Sequence, residues 1–243
     1  MSATTKDHEH WAKIAADWIA WARTPNHDAF WAYRQAFASF VGKGGGRALD
    51  VGCGEGRVSR ELKACGYHVT AADPVEAFIE AAAGLDSADE YVVAAATHLP
   101  LEDGHFDLVV SYNVLMDVDD VPAAVREMRR VLRPEGRLVV SIVHPFFDHG
   151  RFAGPGGDAP FIVEGSYFGR QRFDETVEER GLKMHFSGWS QPLEAYAAAL
   201  EGAGLAITSI REPLPDLGEG RQHMERWTRM PLFLWFTARP LAG

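Results

Sequence analysis

Apolar residues along this chain fall into two alternating rhythms. Short, nearly continuous apolar runs at 48–51, 67–72, 91–94, 106–113, 205–210 and 231–238, with a further run ending at Val143, read as strands. The run at 106–113 is apolar almost throughout, as in a strand covered on both faces of a parallel sheet. Between them, apolar residues return at helical spacing: Val58, Leu62 and Cys65; Val75, Phe78, Ile79 and Ala82; Val125, Met128 and Leu132; Leu193, Tyr196, Ala197 and Leu200. Alternating strands and helices predict an α/β sheet. Ahead of it, Trp11, Ile14, Trp18 and Trp21 mark a helix over Glu9 to Ala22. Phe30, Tyr33, Phe37 and Phe40 mark another over Asp28 to Phe40, with Asn26 or Asp28 as its cap. Over residues 148–190 the alternation breaks into glycines, charges and scattered aromatics, the pattern of an inserted lid.

The first strand runs into Asp50, Gly52, Gly54 and Gly56, then into a helix that Gly66 ends. Glycine at every second position lets the backbone crowd a ligand, and the helix turns its positive end toward it. Asp73 follows about 20 residues on, at the end of the second strand, where a carboxylate can accept the ribose hydroxyls of a nucleoside. It also stands before Pro74, a helix-start signal, and the two roles are compatible. A dinucleotide fingerprint would place its third glycine at 57, where this chain has Arg57, and this argues against NAD.

The phrase Leu49-Asp50-Val51-Gly52-Cys53-Gly54-Glu55-Gly56 resembles the first motif of the class I S-adenosylmethionine (SAM) dependent methyltransferases. Met128 to Leu138, with Arg133-Pro134-Glu135-Gly136 inside it, is a second match, and the two lie in order across residues 48–143. The resemblance is to the small-molecule type found in ubiquinone and menaquinone biosynthesis. It implies one domain over 1–243, with a helical cap at 1–46 and a substrate lid at 148–190. Its fold would be a Rossmann-like, seven-stranded, mostly parallel sheet with helices on both faces and an antiparallel last strand. SAM would be the cofactor and S-adenosylhomocysteine the product. By resemblance, Gly52, Cys53 and Gly54 place the amino-acid part, Asp50 the loop and the amino group, and Asp73 with Pro74 the ribose. Ala96 and Thr97 fall at the adenine edge, and Asn113 and Val114 beside the methionine part. Relatives carry an acid at the position of Ala95, so here Thr97, backbone or water must replace it, or binding is weaker.

Charge and cysteine content narrow the picture. Lys and Arg number 24 against 34 Asp and Glu, a formal charge of −10, which disfavours a nucleic-acid partner. No apolar run reaches the roughly 18 residues of a membrane span and no signal core opens the chain, so a cytoplasmic monomer or homodimer is expected. Cys53 and Cys65 lack metal-site spacing, no histidine pair supplies it, and Asp119 or Asp120 before Pro122 reads as a helix start, so no metal is expected.

The expected activity is methyl transfer to an oxygen, nitrogen or carbon of a small, apolar or aromatic acceptor. His144, at the end of the fifth strand, is either a proton-accepting base or a pocket wall. Trp18, Trp21, Tyr33, Phe146, Tyr167, His185 and Trp189 are candidate pocket residues. The alternatives are a non-methylating relative that keeps SAM or its product as a structural ligand, as a cyclase or partner protein, and an NAD(P)-dependent oxidoreductase.

Overall fold

The computed structural model describes residues 6–241, so the first five residues of the expected cap and the last two of the chain lie outside it. Three helices, α1 (Lys6–Lys13), α2 (Ala15–Arg23) and α3 (Phe30–Val41), precede β1 (Arg47–Val51), α4 (Arg57–Ala64), β2 (His68–Asp73), α5 (Glu76–Ala83) and β3 (Glu90–Val93). Then come β4 (Phe106–Tyr112), α6 (Val121–Val131) and β5 (Leu132–Val143). Four short strands follow, β6 (Gly150–Phe152), β7 (Phe161–Val163), β8 (Gln171–Glu179) and β9 (Leu182–Ser190). The chain closes with α7 (Leu193–Gly202), β10 (Leu205–Arg211) and β11 (Phe233–Pro240).

Seven strands form one sheet in the order β10-β11-β5-β4-β1-β2-β3. Five are paired parallel from β3 to β5, while β11 runs antiparallel to both of its neighbours. This is the expected architecture. Because strand side chains alternate, Val109 and Val140 face a core built with α6 and α7, while Leu108, Val110 and Tyr112 face one built with α3 and α4. Both faces are dry, which is why β4 reads as an unbroken apolar run.

Four local details differ from the expected pattern. The first helix breaks at Ile14 (φ −106°, ψ 14°), so Trp11 lies edge-on against Trp18 instead of continuing its stripe. Neither Asn26 nor Asp28 caps α3; Ala29 heads it, and Asp28 is drawn into an ion pair with Arg57 at 2.5 Å. Asp73 accepts from the Val75 N–H at 2.9 Å, and Val75, not Asp73, heads α5. Residues 133–136 do not separate α6 from β5. Register jumps from Phe106↔Leu132 to Leu108↔Arg137, so these residues bulge out of the ladder. Asp120 caps α6 as expected, accepting from the Ala123 N–H at 2.9 Å.

Candidate functional site at the carboxyl edge of the sheet

The glycine loop between β1 and α4 is held from below by main chain. The N–H groups of Gly52 and Cys53 both donate to the Ala72 carbonyl, at 2.8 and 3.1 Å. Gly52 has φ +72°, and a Cβ there would lie 2.4 Å from Val114 Cγ2, so β1 and β4 meet over a residue that can only be glycine. Gly54 has φ +53°, and its missing Cβ would sit 3.1 Å from Trp18 Nε1, which places α2 directly over the loop.

Two buried carboxylates sit under this loop. Asp50 accepts from the Ser59 hydroxyl at 2.6 Å, tying β1 to α4. Burial pushes its carboxyl up to about 7, with the Asp73 charge adding to the effect and Ser59 opposing it. Asp73 accepts the Gly54 N–H at 2.9 Å through Oδ2 and the Val75 N–H through Oδ1. Its carboxyl is pushed up to about 6 by burial, against the pull of those two donors. Pro74, between them, sets the turn into α5. The buried Cys53 thiol is raised by desolvation first and by both carboxylates next, and both cysteines are free.

Asn113 ends β4 in the left-handed region (φ 55°), where an asparagine side chain is tolerated, and its Oδ1 accepts from Ser141 Oγ at 2.7 Å. Val114 follows and packs on Gly52. Ala96 and Thr97 form a half-buried turn after β3. The shape of that loop comes from α6: Glu127 accepts the Leu99 N–H, while Arg130 donates to the carbonyls of Leu99 and Leu101 at 2.8 and 2.7 Å. Thus Asp50, Gly52, Cys53, Gly54, Asp73, Pro74, Ala96, Thr97, Asn113 and Val114 all gather at the tips of β1 to β4.

The expected pocket residues do not gather in one place. Trp18 and Trp21 stand edge-on to Phe186 of β9, at 6.4 and 6.0 Å between ring centroids, and so close the glycine loop from above. One face of Trp18 is already taken by the Arg57 guanidinium at 4.9 Å. Tyr33 is fully buried against Phe233, inside the core rather than at the sheet edge. His185 sits on the outer side of β9, against His10 and Asp174. Trp189 donates to Asp119 at 2.9 Å and carries Arg170 on its ring.

His144, Phe146 and Tyr167 form a stacked row beyond the end of β5. The Phe146 N–H donates to His144 Nδ1 at 3.2 Å, and His144 Nε2 faces Glu212 Oε1 at 3.1 Å. Both ring nitrogens are therefore engaged, and desolvation lowers the imidazole's pKa despite Glu212.

Several residues that shape this edge were not singled out in the sequence. Arg57, paired with Asp28 at the β4 tip, carried a signal only as the residue that replaces a glycine. Glu55 is buried between Arg23 and Arg60, at 3.1 and 2.6 Å, with no periodic signature. His149 meets Ser190 across the lid at 2.9 Å, a pairing of residues 41 positions apart. Among the described residues, no helix is long and apolar enough to cross a membrane and no group of acids, histidines and cysteines could hold a metal ion.

Residues 49–140 match the family model described as a methyltransferase domain. The malonyl-[acyl-carrier protein] O-methyltransferase of Enterobacter lignolyticus is 40% identical over 92 residues, 38% of this chain, and the match spans only 37% of that enzyme's length. The ubiquinone biosynthesis O-methyltransferase of Xanthomonas oryzae pv. oryzae is 29% identical over 201 residues, 81% of this chain and 77% of the relative. The crystal structure of a SAM-dependent methyltransferase from Mesorhizobium loti superposes with a TM-score of 0.69 over 87% of this chain and 98% of that one, at 24% identity. These likenesses favour neither alternative. With its glycine loop, its paired carboxylates and its β11 reversed beside β5, the chain has the fold of the class I SAM-dependent methyltransferases and carries a methyltransferase domain match over residues 49–140.

Proposed function

We propose that this chain transfers the methyl group of SAM to an oxygen, nitrogen or carbon nucleophile of a small, apolar or aromatic metabolite. The observation that carries this reading is Asp73. Each of its oxygens accepts a single backbone N–H. An ionised carboxylate has about four acceptor positions, so two stay available for a vicinal diol such as a ribose.

The residues present fit the cofactor in other respects. Its amino-acid end carries an ammonium and a carboxylate and needs acceptors and donors. Beside Arg57, the Tyr112 hydroxyl and Asp28 Oδ1 are buried without partners. A buried polar atom without a partner marks a place where a ligand or water completes the set. When bound, the sulfonium supplies an activated methyl group. The chain's part is to hold donor and acceptor in line and keep water out, under Trp18, Trp21 and Phe186 on one side and Phe146 and Tyr167 on the other. The relatives named for ubiquinone biosynthesis and for malonyl-[acyl-carrier protein] support a metabolite or a carrier-bound acyl acceptor rather than a nucleic acid.

Calorimetric titration with S-adenosylhomocysteine tests the reading. The wild-type chain should bind it, and Asp73→Asn should weaken binding about 10- to 150-fold, the equivalent of losing roughly 1.5–3 kcal/mol of charge-assisted hydrogen bonding. A wild-type chain that binds NADH and not S-adenosylhomocysteine overturns it.

A further inference from the structure

Helix α4 buries Val58, Ser59 and Leu62 on its sheet side. Its other face carries Arg57, Arg60 and Glu61, one turn apart, and these line a cavity of about 270 Å³ between α2, α3 and α4. Arg23 of α2 and Arg34 of α3 complete the polar part of the wall, so four arginines meet there and Glu61 is the single acid among the lining residues. Trp31 and Leu85 supply an apolar side. In a chain with a formal charge of −10, such a gathering of cations is local and specific.

Three carboxylates answer these four guanidiniums, and unevenly. Glu55, from behind the cavity, takes both Arg23 and Arg60, at 3.1 and 2.6 Å, and Asp28 takes Arg57 at 2.5 Å. Glu61 comes no nearer to Arg34 than 3.7 Å, too long for a hydrogen bond. One positive charge is left over, and Arg57 and Arg60, on the same helix face, repel each other. Among the described residues Arg34 donates no hydrogen bond; its guanidinium lies over the Trp31 ring at 5.2 Å. Arg60 is fixed by three bonds, to the Glu55 carboxylate, the Glu55 carbonyl and Ser87, while its Nε donates to none of them. A plain charged helix face keeps its cations spread in water. Here Glu55 draws two together, and the cavity offers guanidinium donors already in position, so an anion entering it would have little side-chain freedom to remove.

We infer that this cavity is a ligand site in its own right, distinct from the cofactor cleft, and that it binds a diphosphate group with Arg34 and Arg60 as the main donors. Guanidinium forks match phosphoryl oxygens in pairs, and several forks around one cavity suit two linked phosphoryl groups better than one carboxylate. A carboxylate brings a single charge and would only cancel the surplus. A diphosphate brings more, and so also takes over Arg34 from its loose contact with Glu61. Arg57 lies deeper, its side chain 13% exposed, and adds charge without needing to touch the ligand. The diphosphate is either free or carried on a small apolar group that rests on Trp31 and Leu85. The inference stands apart from the methyl-transfer reading, since it uses neither Asp73 nor the strand tips.

Calorimetric titration of the full chain with sodium pyrophosphate, in a chloride buffer free of phosphate and divalent metal, tests the site. Wild type should bind with a Kd below about 1 mM. Arg34→Gln should weaken binding about tenfold, the loss of one charge-assisted contact. Glu61→Gln, which removes the acid from the wall, should tighten binding about threefold or more, a gain that damage to the fold would not produce. Both side chains are partly exposed, and unchanged thermal unfolding midpoints without ligand show that the variants are intact. Saturation with S-adenosylhomocysteine should leave pyrophosphate binding in place. No binding at about 10 mM pyrophosphate, an affinity moved by neither substitution, or displacement by S-adenosylhomocysteine overturns the site. Sulfate binding as tightly as pyrophosphate overturns the diphosphate assignment. Dimethylallyl diphosphate binding more tightly than pyrophosphate identifies an organic diphosphate as the ligand, and equal or weaker binding identifies the free ion. A chain that does not bind S-adenosylhomocysteine sinks the methyl-transfer reading, while the two substitutions still report on this cavity.

Discussion

The two halves of the sheet's carboxyl edge are held by different forces. Around the glycine loop the contacts are main chain to main chain or main chain to buried carboxylate: Gly52 and Cys53 on Ala72, Gly54 and Val75 on Asp73. Across residues 148–190 the hairpins β6–β7 and β8–β9 pair only within themselves, and side chains tie them to the rest of the fold, among them Arg170 to the Val118 carbonyl and Trp189 to Asp119. Phe168 stands 75% exposed there, whereas no large apolar side chain of β1 or β4 is exposed. The cofactor half is fixed by main-chain bonds and close backbone approach that restrict residue type, whereas the lid half, attached by side chains, can change residues without losing its path.

The sharpest test places the same substitution in both halves. Gly52→Ala puts a Cβ against Val114 at a left-handed residue and should cost about 2–5 kcal/mol in urea unfolding, the sum of conformational strain and overpacking. Gly169→Ala, also left-handed (φ +90°) but in open space, should cost only about 1–2 kcal/mol. Equal losses would dissolve the distinction between the halves.

Ion pairs give the next contrast. Glu55 has no solvent exposure and serves two arginines, each about one-third exposed, so Glu55→Gln should cost about 1–3 kcal/mol. Glu164→Gln removes a pair to Arg151 in which both side chains are more than half exposed, and denaturant midpoints should barely move, by about 0.5 kcal/mol or less.

Acidity separates the halves in a third way. Asp50 and Asp73 have folded pKa values raised above those of an unfolded chain. The folded state therefore binds more protons than the unfolded state between about pH 4 and pH 7, and the contribution of these groups is fully present at the acid end and lost as pH rises through about 6 to 7. Unfolding free energy measured across that window should fall less steeply in Asp50→Asn than in wild type. A small effect is expected from Trp189→Phe, which drops one N–H to the partly exposed Asp119 and should cost about 0.5–1 kcal/mol. A loss as large as that of Gly52→Ala would make Trp189 a keystone of the lid.

What could be read from the chain follows the same division. The loop from Leu49 to Gly56 and the run 106–113 declare themselves because backbone conformation and two-sided burial restrict residue type locally. Asp28 and Asp73 show where local rules stop. Each stands where a helix cap belongs, and each is claimed by a distant partner, Arg57 in one case and Gly54 in the other. Ile14, a good apolar helix residue, gives no hint that α1 and α2 part there. The lid was visible as an interruption, but its hairpin pairing was not, since β8 carries charges on both faces and offers no alternation to read. His149 and Ser190 meet only because those hairpins fold back over β5.

The hold of α6 on the loop after β3 has a consequence of another kind. Glu127 and Arg130 grip main-chain atoms of Leu99 and Leu101, so the loop borrows its shape from a helix on the far side of the strand. Side chains at positions 95 to 97 are relieved of any duty to shape it. An alanine can stand at position 95 without the loop collapsing, and recognition at that edge can be rewritten one residue at a time on a frame that stays put.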